Sequence, residues 1–169
     1  MNLSINYGKS FAYYIQAAQK GDVAGQANIA EFYMEGKGIE KNEEEALKWY
    51  RKAAEQGDAD SEYAIGRYYE CDRNDIKLAI EWYKKAAEQG HVDAQIKMKN
   101  CYGSGKGLKK DLTQAFEWAE KAAEQGDAQA QCYLGRCYKD GLGVEADKNT
   151  AIEWYKKAAE QGDAEAQCE

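Results

Sequence analysis

The sequence lacks proline and contains one histidine, and none of its apolar runs approaches the ~20 residues that a membrane-spanning helix needs. The absence of proline favours uninterrupted helices, because proline removes a backbone donor and breaks a helix interior. One histidine and no Cys-x-x-Cys pair leave little from which to build a zinc site, so we expect no metal and no cofactor. Residues 1–6 have neither the basic region nor the apolar core of a secretory signal. This predicts a cytoplasmic protein, or a secreted or periplasmic one if the chain is a processed segment.

Basic residues are also fewer than acidic residues. The sequence has 23 Lys and Arg residues and 30 Asp and Glu residues, which gives a formal net charge of −7. Such a surface repels phosphate, so we expect no broad binding to nucleic acid and no insertion into membranes. The 44% of hydrophobic residues argues against a disordered acidic tail. Ala, Glu, Lys, Gln and Tyr are abundant, and this composition predicts an all-α protein.

A repeated block organises the chain. Ala-Ala-Glu-Gln-Gly ends at Gly57, Gly90, Gly126 and Gly162, and a degenerate copy ends at Gly21. The spacings are 36, 33, 36 and 36 residues, a period typical of helical-hairpin repeats. The predicted divisions are a leading half repeat (1–20), units 1 to 4 (21–56, 57–89, 90–125 and 126–161) and the truncated start of a fifth unit (162–169).

Each unit has the pattern of two helices, A and B. Helix A is predicted to begin at a Gly-Asp pair, which consists of the last glycine of the block and the residue after it. A Gly-x-Gly such as residues 36–38 suits the end of helix A and the following turn. Helix B is predicted to begin after an Asx residue whose side-chain oxygen accepts from first-turn N–H groups. These residues are Asn42, Asp75, Asp111 and Asp147. Unit 2 lacks three residues and the Gly-x-Gly, so we expect a tighter or differently built turn there.

The apolar positions follow the helical period when they are counted from the leading glycine of each unit. Position +8 holds Ile29, Ile65, Met98 and Leu134. Position +12 is always tyrosine, and +9 is small except at Lys99. Helix B repeats a tryptophan at Trp49, Trp82, Trp118 and Trp154. These aromatics could form a stacking ladder for sugars or bases, but two short helices bury their apolar faces only against neighbours, so we predict a structural core.

Residues Gly126 to Ala159 spell Gly-Asp-Ala-x-Ala-Gln-x-x-Leu-Gly-x-x-Tyr-x-x-Gly-x-Gly-Val-x-x-Asp-x-x-x-Ala-x-x-Trp-Tyr-x-Lys-Ala-Ala. This pattern closely resembles the Sel-1-like repeat family, relatives of the tetratricopeptide repeats, and the resemblance covers residues 21–169. It implies a right-handed α-solenoid of stacked antiparallel helix pairs, with A helices on the concave face and B helices on the convex face. It also implies an adaptor or scaffold for proteins, in a repeat style that looks bacterial.

One stripe of helix A differs between the units. Positions +3, +7, +10, +11 and +14 span about 100° of a helical wheel, opposite the +8 and +12 core stripe. Packing requires no fixed residue there, so we expect the stripe to face solvent or a partner. Its content of Phe, Tyr and Arg matches interface hot spots. The stripe residues predicted to bind a partner are Asn28, Glu31, Phe32, Glu35, Arg67, Tyr68, Lys97, Asn100, Cys101, Tyr133, Arg136, Cys137 and Asp140.

We therefore predict that this concave stripe binds an extended or helical peptide segment of a partner protein, with simple surface drift as the alternative. A second alternative is a segment of a longer array, or self-association through the last helix B, which carries Ile152 and Trp154. A hydrolase-like activity, as claimed against β-lactams for some relatives, would need His91 with Ser10, Ser61 or Ser104, and the sequence gives no nucleophile a positioned base. We expect no enzyme.

All five cysteines are predicted to be free thiols. Some cysteine-rich bacterial relatives carry one disulfide per unit between helices A and B, but the B helices here contain no cysteine. Equivalent positions on stacked helices lie about 8–10 Å apart, beyond the ~7 Å Cα separation that a disulfide bridges. Alkylation without reductant should therefore add five labels in an intact-mass measurement, and two or four protected thiols would contradict this.

Overall fold

The computed structural model describes residues 7–161, which are entirely helical apart from short turns. Nine α-helices and no β-strand occur in this part of the chain. The helices are α1 (Tyr7–Gln19), α2 (Val23–Glu35), α3 (Glu43–Ala54), α4 (Ala59–Cys71), α5 (Ile76–Glu88), α6 (Val92–Ser104), α7 (Leu112–Glu124), α8 (Ala128–Asp140) and α9 (Lys148–Glu160). The predicted all-α solenoid of stacked helix pairs is confirmed, with α2, α4, α6 and α8 as helices A. The predicted fifth-unit start at 162–169 lies outside the described residues.

Side-chain caps start every helix from α2 onward. The predicted cap of each helix B is confirmed, since the side chain of the Asx residue accepts from a backbone N–H two or three residues ahead. The A helices begin in the same way at Asp22, Asp58, His91 and Asp127. In unit 2, Asn74 adopts φ +52° in the shortened turn, where the other units use glycines. The turn is therefore built differently, as expected.

The core between helices contains the predicted +8 residues, which are all fully buried. The tryptophans are less buried than expected, because Trp118 is enclosed but Trp49, Trp82 and Trp154 are only half-buried. In each case a lysine three residues on places its ammonium 4.0 or 4.1 Å from the ring centroid. A lysine ammonium thus lies over one face of each ring.

The residue after each tryptophan contributes more to the contact between helices A and B. Tyr83 is 1% exposed, and its ring lies against the backbone of Gly66, where an added Cβ would approach the ring to 2.6 Å. Gly135 meets Tyr155 in the same way, at 2.7 Å. A small residue at +9 therefore allows an aromatic ring to pack at the equivalent place on helix B. In unit 3 the sizes are exchanged, since Lys99 stands at +9 and Ala119 replaces the aromatic residue.

The described cysteines are free thiols, as predicted. Cys71 is exposed, whereas Cys101, Cys132 and Cys137 are buried. Burial raises the pKa of the Cys101 and Cys137 thiols, because the thiolate is poorly solvated in an apolar site. Cys168 lies outside the described residues.

Buried glutamines at position +5 connect neighbouring units. The side-chain amides of Gln26, Gln95 and Gln131 donate to the carbonyl oxygens of Ala18, Ala87 and Ala123 on the preceding helix, at 3.1–3.4 Å. Their oxygens accept from Gln56, Gln125 and Gln161 at 2.8–2.9 Å. Glu62 takes this position in unit 2 and accepts from Gln89 at 2.6 Å. Burial raises the pKa of Glu62, because an ionised carboxylate loses hydration there.

Replacing Glu62 with Gln is expected to stabilise the fold near neutral pH. The raised pKa means that Glu62 supports the fold when protonated and loses that contribution as the pH rises through its folded-state pKa. The uncharged amide should add about 1 kcal/mol to the free energy of unfolding at pH 7, and the difference should shrink towards pH 4. Urea unfolding at both pH values measures this, with the exposed Glu55→Gln as the control. A less stable E62Q at pH 7 would contradict the interpretation.

Candidate functional site

The exposed part of the predicted stripe forms a continuous face along the A helices. Positions +10 and +14 are exposed in every unit, and +7 is half-buried. The predicted residues that lie on this A-helix face are Asn28, Glu31, Glu35, Arg67, Lys97, Asn100, Tyr133, Arg136 and Asp140. Ser104 and Cys71 occupy +14 in the other two units and are exposed as well.

The prediction that position +11 faces solvent is wrong. Phe32, Tyr68, Cys101 and Cys137 are only 7%, 3%, 8% and 0% exposed. The reason is that +11 lies one turn after the core position +8, so the apolar stripe of helix A is wider than +8 and +12 alone. Phe32, for example, packs on Phe11 of α1 with ring centroids 6.0 Å apart. These four side chains are buried between the helices, and only Tyr68 also borders a groove.

An acidic groove lies between α2 and α4, with Tyr50 of α3 at its base. Its main cavity has a volume of about 420 Å³, and an adjoining depression of about 260 Å³ shares Glu31, Tyr50 and Ala64 with it. We call this the Tyr50 groove, and its lining comprises Ala27, Asn28, Glu31, Met34, Glu35, Tyr50, Asp60, Ser61, Tyr63, Ala64, Arg67, Tyr68, Cys71 and Asp72. Burial, together with the charges of Glu31 and Glu35, raises the pKa of Tyr50 to about 12.

An ion network occupies the next junction, between α4 and α6. The Glu70 carboxylate accepts from the Lys97 ammonium at 2.6 Å, from the Tyr83 hydroxyl at 2.8 Å and from the Lys106 ammonium at 3.2 Å. The hydrogen bond from Lys97 is the main cause that holds the pKa of Glu70 at about 2. Lys97, one of the predicted contact residues, is thus engaged within the protein itself.

A basic groove lies between α6 and α8 and has a volume of about 510 Å³. We call it the Lys99 groove, and its lining comprises Lys99, Asn100, Gly103, Ser104, Leu112, Tyr133, Arg136 and Leu142. The Lys99 ammonium lies 4.8 Å from the centroid of the Tyr133 ring, and the Arg136 guanidinium lies 5.6 Å from it. Burial lowers the pKa of Lys99, because the charged ammonium is partly removed from water.

Sequence reasoning missed Tyr50, Asp72 and Lys99 as groove residues. Tyr50 belongs to helix B and reaches the groove because Ala64 at +7 of the next unit leaves space beside it. In the Lys99 groove the ring comes instead from helix A, as Tyr133, while Ala119 takes the helix B position. Lys99 and Ala119 both differ from the residue types that the other units have at the same positions. This paired difference could have indicated the Lys99 groove from the sequence.

The residues considered for hydrolysis serve as helix caps or packing groups. His91 caps α6 by accepting from the Ala94 N–H at 3.3 Å, and its ring stacks on Tyr63 at 4.4 Å between centroids. The Ser104 hydroxyl donates to the Asn100 carbonyl oxygen of its own helix at 2.7 Å. Ser61 is fully buried. His91 and Ser104 thus have local structural roles that account for their positions.

Residues 7–161 contain neither a metal-binding cluster nor a membrane-spanning helix. No group of three or more His, Cys, Asp or Glu residues there is arranged to hold a metal ion. Within the same range, no helix is long and apolar enough to cross a membrane. On the last described helix, Ile152 is 52% exposed while Tyr155 is buried.

The fold and the grooves define an α-helical repeat protein with a recessed, chemically varied A-helix face. The sequence pattern of the Sel1 repeat family matches this chain five times, at residues 2–22, 23–58, 59–91, 92–127 and 128–163. The chain therefore belongs to the Sel1 repeat family. Members of this family are generally protein-interaction modules of a non-catalytic, scaffold type.

Two similar solved structures cover nearly all of the chain. A Sel1 repeat protein from Oxalobacter formigenes is 39% identical with a TM-score of 0.88, over 96% of this chain and 48% of that one. The protective antigen c5321 of uropathogenic Escherichia coli, described as displaying an SLR fold, is 40% identical with a TM-score of 0.76, over 94% of this chain and 35% of that one. The chain thus spans half the length of these relatives or less.

A curated relative matches over a shorter region. The chitin synthase regulator SKT5 of Saccharomyces cerevisiae is 38% identical over 71 residues, which is 38% of this chain and 10% of that protein.

Replacing Glu70 with Gln is expected to destabilise the fold at neutral pH by about 1–3 kcal/mol, because Lys97 and Lys106 lose their shared carboxylate. The pKa of Glu70 is lowered to about 2, so its contribution is present above the ordinary value near 4.5 and is lost as the pH falls towards 2. The difference in unfolding free energy between wild type and E70Q should therefore narrow between pH 5 and pH 3. The exposed Glu145→Gln is the control. A difference independent of pH would exclude this role of the carboxylate.

Proposed function

We propose that the chain is a protein-interaction module whose A-helix face binds an extended peptide segment of a partner protein. The observation that carries this proposal is the presence of two recessed grooves, of about 420 and 510 Å³, on the same face of the array. Each is large enough to accept a side chain, and each combines a tyrosine ring with charged groups at its edge.

The exposed groove residues at position +10 also suit a peptide. Arg67, Asn100 and Arg136 occupy position +10 in successive units and are exposed along one line. Arginine and asparagine side chains can hydrogen-bond to the backbone of an extended segment, whose side chains then enter the grooves. Arginine and tyrosine are also the residue types that contribute most to binding energy at interfaces. The module acts by binding and has no catalytic step of its own.

This arrangement leaves the buried array unchanged when a partner binds. The +8 residues and the glutamine pairs hold the units together from within, whereas the groove residues other than Ser61 and Tyr68 are exposed or half-buried. A rigid scaffold with a prepared surface reduces the entropy lost on binding, because few of its side chains need to be reordered.

The proposal predicts that peptides selected from a displayed random library bind at the A-helix face. Binding should fall at least tenfold in the double variant Glu31→Arg with Asn100→Glu, because both exposed side chains line the grooves and each new charge opposes the local charge of its groove. The matched control is Lys77→Glu with Glu81→Arg, a charge exchange on exposed residues of α5. Fluorescence anisotropy measures the affinities, and circular dichroism confirms that each variant is folded.

Two results would contradict the proposed function. One is the failure of repeated selections to yield any peptide that binds the intact protein. The other is an equal effect of the A-helix variant and the α5 control on every selected peptide.

A further inference from the structure

Building on the proposed function, we infer that the occupant is a peptide segment with opposite charges at its two ends, bound in a single direction. A basic side chain occupies the Tyr50 groove, and an Asp or Glu side chain occupies the Lys99 groove. The two grooves have opposite local charge although the chain as a whole is acidic.

Lys99 is held in its groove by the size exchange in unit 3. At the same position in units 2 and 4, any side chain would meet the tyrosine ring of helix B at 2.6–2.7 Å. Ala119 removes that ring, so the aliphatic part of Lys99 occupies space that is filled in the other units. Lys99 is half-buried as a result, and its ammonium group is directed towards the face that carries the groove.

The Lys99 groove is suited to an anion. Its described lining contains the cations Lys99 and Arg136 and no carboxylate. Within residues 7–161, no carboxylate oxygen lies within 4.0 Å of the Lys99 ammonium, and Asp127 influences it only at longer range. A partly buried ammonium gains more from a carboxylate partner than an exposed one, because less water screens the pair. Leu112 and Leu142 provide apolar walls for the stem of the incoming side chain.

The Tyr50 groove is suited to a cation. Glu31, Glu35, Asp60 and Asp72 line it together with one cation, Arg67. Lys37 lies outside the lining and pairs with Glu35, while its distance to Glu31 is 3.9 Å. Arg73 also lies outside the lining, where it donates to the Tyr68 hydroxyl. With Lys37 and Arg73 both counted, acidic groups exceed basic groups by one. The rings of Tyr50 and Tyr63 offer surfaces over which an ammonium or guanidinium group can lie.

The surface between the two grooves favours neither a positive nor a negative side chain of the peptide. Glu70 is already paired with Lys97 and Lys106, so the middle of the peptide passes over a satisfied ion network. The grooves are two units apart, which is about 20 Å if each unit adds roughly one helix diameter of 10 Å. An extended chain covers that distance in about six residues. The expected segment therefore has its basic and acidic side chains about six residues apart.

Opposite groove charges also fix the direction of binding. Reversing the peptide places its acidic side chain beside Glu31 and Glu35 and its basic side chain beside Lys99 and Arg136. Repulsion between like charges then disfavours the wrong orientation, in addition to the loss of attraction.

The test uses peptides selected from the displayed random library on the intact protein. We expect their sequences to share a basic residue and an acidic residue about six positions apart, in one order along the chain. Synthetic versions with the two residues exchanged should bind at least tenfold more weakly at low ionic strength, and the difference should decrease in high salt.

A double-mutant cycle assigns the acidic residue to Lys99. Lys99→Met keeps the stem and removes the charge, so it should weaken binding about tenfold for the acidic peptide and very little for its Gln or Asn counterpart. Lys109→Met, at an exposed lysine of the turn after α6, is the control and should leave both affinities unchanged. Equal unfolding midpoints show that both variants are folded.

The possible outcomes separate this inference from the proposed function. Peptides that bind the A-helix face without a common charge order, or equal effects of K99M and K109M, would overturn the inference and leave the module in place. A lack of selected peptides, or binding that is insensitive to A-helix substitutions, would overturn the proposed function and this inference with it.

Discussion

The contact between a small residue on helix A and an aromatic ring on helix B sets how closely the two helices of a unit approach, and much of the surface depends on it. Gly66 and Gly135 lie directly against the rings of Tyr83 and Tyr155. Close packing tolerates little excess volume, so a larger residue on one side requires a smaller one on the other. Unit 3 meets this requirement in reverse, with Lys99 opposite Ala119. The need to balance large and small residues in the core thereby places the charged side chain of Lys99 in the Lys99 groove.

The units are also joined by polar contacts that carry no charge. Paired glutamines such as Gln26 and Gln56 satisfy each other in the interior, and one of them also satisfies a backbone carbonyl. Neutral amides avoid the desolvation cost of buried ions, so charged residues remain largely on the surface. Glu62 is the exception, and its raised pKa shows the cost of a carboxyl in that position.

The surface charges are distributed unevenly along the A helices. The groove between units 1 and 2 is acidic, the network around Glu70 is internally paired, and the groove between units 3 and 4 is basic. The net charge of −7 conceals this order, because most acidic residues lie elsewhere on the surface. Repeat architecture makes such an arrangement possible, since each unit can vary its exposed positions while neighbouring units share one packing pattern. This is why a Sel1 repeat protein can combine a standard fold with a particular surface.

The sequence by itself determined the period, the two helices of each unit, their caps and the +8 core, because these features depend on spacing within a single unit. It also indicated that A helices carry the variable face, and nine of thirteen predicted residues lie there. Only the tertiary structure showed that Phe32 and Tyr68 are buried, since a helical wheel does not give the width of the stripe that neighbouring helices cover. It alone placed Tyr50 and Lys99 in grooves, because a groove is made by residues from three helices whose distances no single-helix pattern contains.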